Sequence, residues 1–202
     1  TLKNNSQLFP GFEDLFNHVK TLQNRSIQNF LEEKRVHLFS KFGISCFSKN
    51  NTNLIMWSHY ADCHKGLCLE FNSHIAPFNK SFEVIYDSNF PKIDTKILFE
   101  DEHSLEIIRK FLTYKSKDWK HEQEIRILHQ EKNTLFRYSR LALKSIYFGI
   151  ETSETDKAII CSLMRAQNPE VKFYTMEKLD NSFGIEPKEF IYSTPMEVQS
   201  ML

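Results

Sequence analysis

Two short stretches of this sequence concentrate the side chains that could do chemistry. The first runs from Cys46 to Phe71 and contains Met56-Trp-Ser-His-Tyr-Ala-Asp-Cys-His-Lys-Gly, so that Trp57, His59, Tyr60 and His64 crowd together. The second is Lys115-Ser-Lys-Asp-Trp-Lys-His-Glu-Gln-Glu-Ile-Arg, which ends on Glu122, Glu124 and Arg126 at alternate positions. In an extended chain, period two would put both carboxylates and the guanidinium on one face. There Arg126 would hold one carboxylate ionised, while crowding would raise the pKa of the other. The expectation is that the two stretches, remote in sequence, meet in a single site.

Each feature also has a plainer reading. Trp57, Tyr60 and Ala61 share one helical face, where aromatic side chains usually pack into a core, and His64 could cap the helix end. The charged alternation could be the solvated face of an edge strand carrying an ordinary ion pair. A metal reading rests on His59, Cys63, His64 and Cys68, with His59 and Cys63 at i, i+4. It loses, because Cys68 lies in an apolar strand pattern and the spacing matches no standard zinc module. No metal is expected, and Cys46, Cys68 and Cys161 are read as buried, reduced thiols.

The elements that would position these residues follow from periodicity. Apolar residues three and four apart over Phe12–Phe39 predict one broken helix or two. Phe42–Ser48 alternates as a strand, with Phe42, Ile44 and Cys46 on one side. Asn50-Asn-Thr-Asn can cap a helix over Leu54–Asp62 that stops near His64-Lys65, before Gly66. Gly66–Phe71 reads as a buried strand with Phe82–Tyr86 as its antiparallel neighbour. A helix over Leu105–Tyr114, strands at Glu124–His129 and Ser145–Gly149, a helix over Glu154–Ala166 and a strand at Val171–Tyr174 follow, with an edge strand at Glu189–Tyr192. The class is α+β: a mixed, mostly antiparallel sheet flanked by helices, with an N-terminal helical segment (1–40) before a core domain (41–202).

At this point the motifs resemble a large bacterial family known only as domain of unknown function family 2971. The residues that carry the resemblance are Cys46-Phe47-Ser48, Met56-Trp-Ser-His-Tyr-Ala61, His64-Lys-Gly66, Leu67-Cys-Leu-Glu-Phe71, Lys115, Trp119 and Glu122-x-Glu124-x-Arg126, with Ile146-Tyr-Phe-Gly149 further on. The similarity spans about Phe42 to Tyr174. Members begin with a segment carrying a Tyr-Arg or Lys-Tyr strand and an Asn-Asp-Pro-Phe turn. Neither stands here, so a further N-terminal segment is expected before Thr1. The resemblance implies an accessory or phage-defence setting and supplies no reaction.

The residues also look like the site of ADP-ribosyltransferases, which bind NAD in a cleft of a split mixed sheet and use a Glu, often of a Glu-x-Glu pair at a strand start. A nearby carboxylate stabilises the oxocarbenium ion that forms at the ribose. That resemblance implies Glu124 as the catalytic carboxylate and Glu122 as its partner. Trp57, His59, Tyr60, His64, Lys115 and Arg126 are then the substrate-binding candidates, with Tyr60 or Trp57 stacking on the ring and Arg126 or His64 on phosphate or ribose. Glu124 is favoured over Glu122 because sheet pairing should fix it, while Glu122 should be mobile. NAD would be the substrate, and no cofactor is otherwise called for. The competing expectation is a non-catalytic binding or sensing module of a defence or toxin–antitoxin system.

Composition sets the outer bounds. The 202 residues carry 26 basic and 26 acidic side chains, so no global field recruits nucleic acid or anionic membrane, and a partner protein remains open. With 41% hydrophobic residues, 18 of them Phe, and only 5 Gly, the chain can build a core but not a glycine-rich nucleotide loop. No membrane-length apolar run or signal peptide is present, which predicts a cytoplasmic protein with reduced cysteines.

Overall fold

The computed structural model describes residues 42–89, 91 and 104–192, together with Arg25, Ser26, Asn29, Glu33, Val36 and Ser40. The first five of those single positions are helical; the rest of the expected N-terminal helices lies outside the described residues. The strands are β1 (Gly43–Ser48), β2 (Leu67–Phe71), β3 (Phe82–Glu83), β4 (Ile85–Asp87), β5 (Tyr114–Ser116), β6 (Glu124–His129), β7 (Leu143–Phe148), β8 (Lys172–Lys178) and β9 (Ile185–Glu189). The helices among them are α1 (Leu54–Tyr60), α2 (Ser104–Thr113) and α3 (Glu154–Gln167). This is an α+β architecture with mostly antiparallel pairing, and no described helix is long and apolar enough to cross a membrane.

The strands fall into three sheets. Sheet A has the order β1-β6-β3 and is antiparallel throughout, with Gly43 opposite His129 and Ser48 opposite Glu124. Sheet B has the order β2-β7-β8-β9, and its one parallel pair, β7 with β8, is joined through α3. That connection is long enough to carry a crossover helix, as parallel neighbours require. The third is the two-stranded parallel pair β4-β5. The β2 partner is therefore β7 and not Phe82–Tyr86, as the sequence suggested. Val84 interrupts that run, sending Phe82 and Glu83 to β6 and Ile85–Asp87 to β5.

Three apolar clusters hold the layers together. One face of sheet B buries Ile146, Phe148 and Phe173 against Cys161 of α3. The other buries Tyr147 and Met176 beneath Trp57 of α1 and Ala61 just past its end. Phe47, Phe71 and Phe78 form a ring cluster with Ile127 and Ala142, and it is the main apolar bridge between sheets A and B. Burying an aromatic side chain of this size is worth roughly 2–3 kcal/mol. In β1 the inward face thus belongs to Phe47, whereas Ile44 and Cys46 are exposed, the reverse of the alternation read from the sequence. Cys68 is half-buried and only Cys161 is fully buried. The late edge strand also sits earlier than expected, because Glu189 pairs with Tyr174 at its end and not at its start.

Helix α1 starts where capping chemistry places it: the Asn53 side chain accepts from the Ile55 and Met56 N–H groups. It stops at Tyr60, earlier than the sequence suggested. Asp62, Cys63 and His64 are all left-handed, at φ 45°, 50° and 68°. Successive non-glycine residues in that region each cost about 1 kcal/mol or more unless their surroundings enforce it. Here the turn is pinned to the end of β7: Glu151 N–H donates to His64 C=O at 3.0 Å, and Gly149 N–H to Gly66 C=O at 3.0 Å. A side chain on Gly149 would overlap the His64 carbonyl. Gly149→Ala should therefore unseat the turn and destabilise the fold by about 1–3 kcal/mol, read as a drop of several degrees in melting temperature. An unchanged melting temperature would show that the turn is not clamped there.

Candidate functional site

The second motif opens with a 3₁₀ turn, Lys117–Glu122, capped by Ser116, whose Oγ accepts from Asp118 N–H. Gln123 then turns left-handed at φ 46°, and β6 starts at Glu124. Glu122 is thus not extended, and the period-two geometry expected of it does not hold. The two carboxylates still converge, because both reach the same ammonium. Lys115 Nζ, on β5, donates to Glu122 Oε2 in a very short contact and to Glu124 Oε2 at 3.1 Å.

Arg126 completes the cluster. Its Nε and Nη2 donate to the two oxygens of Glu124 at 2.8 and 2.9 Å, the forked geometry in which guanidinium and carboxylate match. Its Nη1 donates to the Leu112 carbonyl near the end of α2. Tyr60 joins from α1, its hydroxyl donating to Glu122 Oε1 at 2.9 Å. The structure therefore brings Tyr60, Lys115, Glu122, Glu124 and Arg126 into one network. Tyr60 is 65% exposed and so is not the core aromatic its helical spacing suggested. Glu122 is 2% exposed against 6% for Glu124, so it is held as firmly as its neighbour and is not the mobile member.

Electrostatics follow from this packing. Burial alone would raise the Glu124 carboxyl, but hydrogen bonds from Arg126, the Cys46 thiol and Lys115 outweigh it and hold the group at about 2. Desolvation of the Cys46 thiol against the cluster and its bond to Glu124 push it up to about 11, so it stays protonated. The hydrogen bond to Glu122 raises the Tyr60 phenol. Burial would lower the Lys115 ammonium, yet its two carboxylate partners raise it. The result is a group of two carboxyl and two basic side chains that satisfy one another.

The remaining candidates make other contacts. His64 stacks on Trp57, ring centroids 6.3 Å apart, and its Nε2 is 3.2 Å from Ser58 Oγ. His59 is exposed and meets the Tyr60 ring edge-on. Trp57 is buried, its indole N–H donating to the Asn51 carbonyl at 2.7 Å. Trp119 lies beneath the Lys115 ammonium at 5.2 Å. Among the described residues, no three His, Cys, Asp or Glu side chains gather as a metal site.

A cleft of about 750 Å³ opens beside the network. Its walls are β1 with the following loop on one side and β2 on the other. Met56, Trp57 and Tyr60 cover it, and Phe78, Ile127 and Tyr147 also line it. Glu122, Glu124 and Arg126 do not line it; Tyr60 belongs to both cleft and network. Glu70, which the sequence reading passed over, does line it. It accepts from Tyr147 Oη at 2.6 Å and from Lys144 Nζ at 2.5 Å. Burial works against its charge, but these two donors win and lower its pKa. The clue in the sequence was a lone carboxylate alternating with Cys68 in an apolar strand.

Fold and site together define an α+β protein whose sheet is split by an aromatic cleft with a buried ionic cluster at its rim. The family model described as protein of unknown function (DUF2971) matches residues 56–127, from α1 into β6. The match contains Tyr60, Lys115, Glu122, Glu124 and Arg126. No curated protein and no solved structure matches the chain.

The cluster makes a pH prediction. The folded-state value of Glu124 lies below its ordinary value of 4.5. Its stabilisation is therefore complete above about pH 5 and is lost as pH falls through about 2, an effect of roughly 3 kcal/mol. Denaturant titrations between pH 7 and pH 2 should show this loss, and Glu124→Gln should remove most of it. Equal acid sensitivity in the variant would place the titrating group elsewhere.

Proposed function

We propose that this chain is a binding or sensing module whose ligand occupies the cleft between β1 and β2. The observation that carries this reading is that the motif's carboxylates are engaged by Arg126 and Lys115 and do not line the cleft, while aromatic and aliphatic residues do. A catalytic carboxylate must reach the reacting atoms at hydrogen-bond distance. Glu124 instead acts as a tie between elements. The cleft's volume falls within the range of small-ligand sites, roughly 300–1,000 Å³, and its lining is mainly apolar with a few polar groups. In this reading the module serves a defence or toxin–antitoxin system, binding a molecule through the cleft and reporting it through the network that Tyr60 touches.

A second reading, NAD-dependent ADP-ribosyl transfer in phage defence, is favoured by one feature. Tyr60 spans from the cleft to Glu122, next to a Glu-x-Glu pair at the start of β6 and a break between sheets. There Glu122, at the cleft end of the network, would face the ribose in place of Glu124. Incubation of the full chain with NAD separates the two. The binding reading expects no release of nicotinamide, and a Glu122→Gln variant that melts several degrees lower because Lys115 and Tyr60 lose their shared partner. Steady nicotinamide release that vanishes in Glu122→Gln, with the melting temperature preserved, would overturn it in favour of the transferase.

A further inference from the structure

The two walls of the cleft are both strand edges, and their hydrogen-bond phase can be worked out. Gly149 N–H donates to Gly66 C=O, and antiparallel strands alternate in which residues face the partner. Gly66, Cys68 and Glu70 therefore turn their main-chain groups toward β7, and Leu67 and Leu69 turn theirs outward. On the other wall Lys49 N–H donates to Gln123 C=O at 3.1 Å. Gly43, Ser45 and Phe47 then face β6, leaving the N–H and C=O groups of Cys46 and Ser48 on the outer side. Among the described residues, β1 pairs only with β6 and β2 only with β7.

Exposed edges are ordinarily blunted by Lys, Pro or inward-pointing charge. Neither Gly-Ile-Ser-Cys-Phe-Ser of β1 nor Leu-Cys-Leu-Glu-Phe of β2 carries such a device, since the single charge, Glu70, is engaged by Lys144 and Tyr147. Lys49 at the end of β1 is likewise paired, with Glu83. We propose that the occupant of the cleft is an extended, uncharged polypeptide segment that adds to the outer edge of β2 as a further strand of sheet B. This rests on the binding reading above and names its ligand class. A compact ring compound would meet the aromatic lining but leave the main-chain rows to water. An extended backbone satisfies both, because its alternate side chains reach Trp57 and Met56 on one side and Phe78 on the other.

The test presents the full chain with a panel of acetylated, amidated seven-residue peptides in which aromatic or aliphatic residues alternate with Ser and Thr. Binding is followed by amide hydrogen exchange and by Trp fluorescence. A binder should slow exchange at Leu67 and Leu69. Methylation of its backbone nitrogens, one residue at a time, should weaken affinity at least tenfold at alternate positions and little between them. Leu69→Pro removes one outward donor and spares the ladder with β7, so it should lose the peptide at an unchanged melting temperature. If that variant does not fold, the methylation pattern decides alone. Uniform tolerance of methylation, or no binding by any peptide, overturns the proposal. So does protection of Leu67 and Leu69 in the free protein, or concentration-dependent self-association through these edges. Saturable binding of NAD or a nucleoside in the cleft, without slowed exchange at β2, would retain the binding reading and overturn strand addition.

Discussion

Two neighbouring carboxyl groups buried together must take up a proton or be met by positive charge, and here positive charge meets them and organises one side of the molecule. Each ion taken from water costs several kcal/mol, recovered only by close pairing and complete hydrogen bonding. Glu122 and Glu124 obtain this from four separate elements. Arg126 comes from the same strand and is braced on the Leu112 carbonyl; Lys115 comes from β5, Cys46 from β1, and Tyr60 from α1. The Tyr86 hydroxyl on β4 accepts the Glu124 main-chain N–H at 2.8 Å. Weakly coupled pieces such as the short β4-β5 pair are thereby tied to sheet A through charge more than through apolar contact.

The opposite side of sheet A works by different means. There the ring cluster of Phe47, Phe71 and Phe78 joins the two sheets where their edges approach, and beyond it the edges part to form the cleft. Tyr60 lines the cleft and bonds to Glu122, so a ligand that moved it would alter the partner set of Glu122. A displaced phenol leaves a buried carboxylate with one donor fewer, a change worth about 1–3 kcal/mol in a poorly solvated site. That is enough to couple occupancy of the cleft to the packing of β5 and the turn before β6.

Local signals in the sequence were dependable, and strand partnership was not. The strands at Gly43–Ser48 and Glu124–His129, the Asn53 cap and the Ser153-capped α3 all follow from periodicity and capping chemistry that depend on near neighbours. The convergence of the Tyr60 and Glu122–Arg126 stretches was also foreseeable, because such side chains are otherwise costly in apolar surroundings. Four features could not be read. The partner of β2 was assigned to the next strand in sequence, although β7 lies far beyond it. Cys46 was counted as apolar, yet its alternation lost to Phe47, whose larger surface claims the interior. The end of α1 was placed by Gly66, whereas three left-handed residues before it are held by contacts with Gly149 and Glu151 that no local pattern encodes. Glu70 was missed because its partners, Lys144 and Tyr147, lie on β7.

The interleaved pairing of the sheets bears on how this protein comes off the ribosome. Strand β1 waits for β6 and β2 waits for β7, so the first half of the chain is synthesised before either partner exists. Both closures are long-range, the kind that folds slowly. Phe47, Phe71 and Phe78 must meanwhile stay out of the wrong associations, since nascent chains with exposed apolar strands aggregate readily. The stretch from α3 to β9, by contrast, packs on neighbours close in sequence once β7 has emerged. Arrival of Leu143–Phe148 is therefore the event that seeds sheet B, and a ribosome stalled before it would hold a polypeptide whose β2 has no partner.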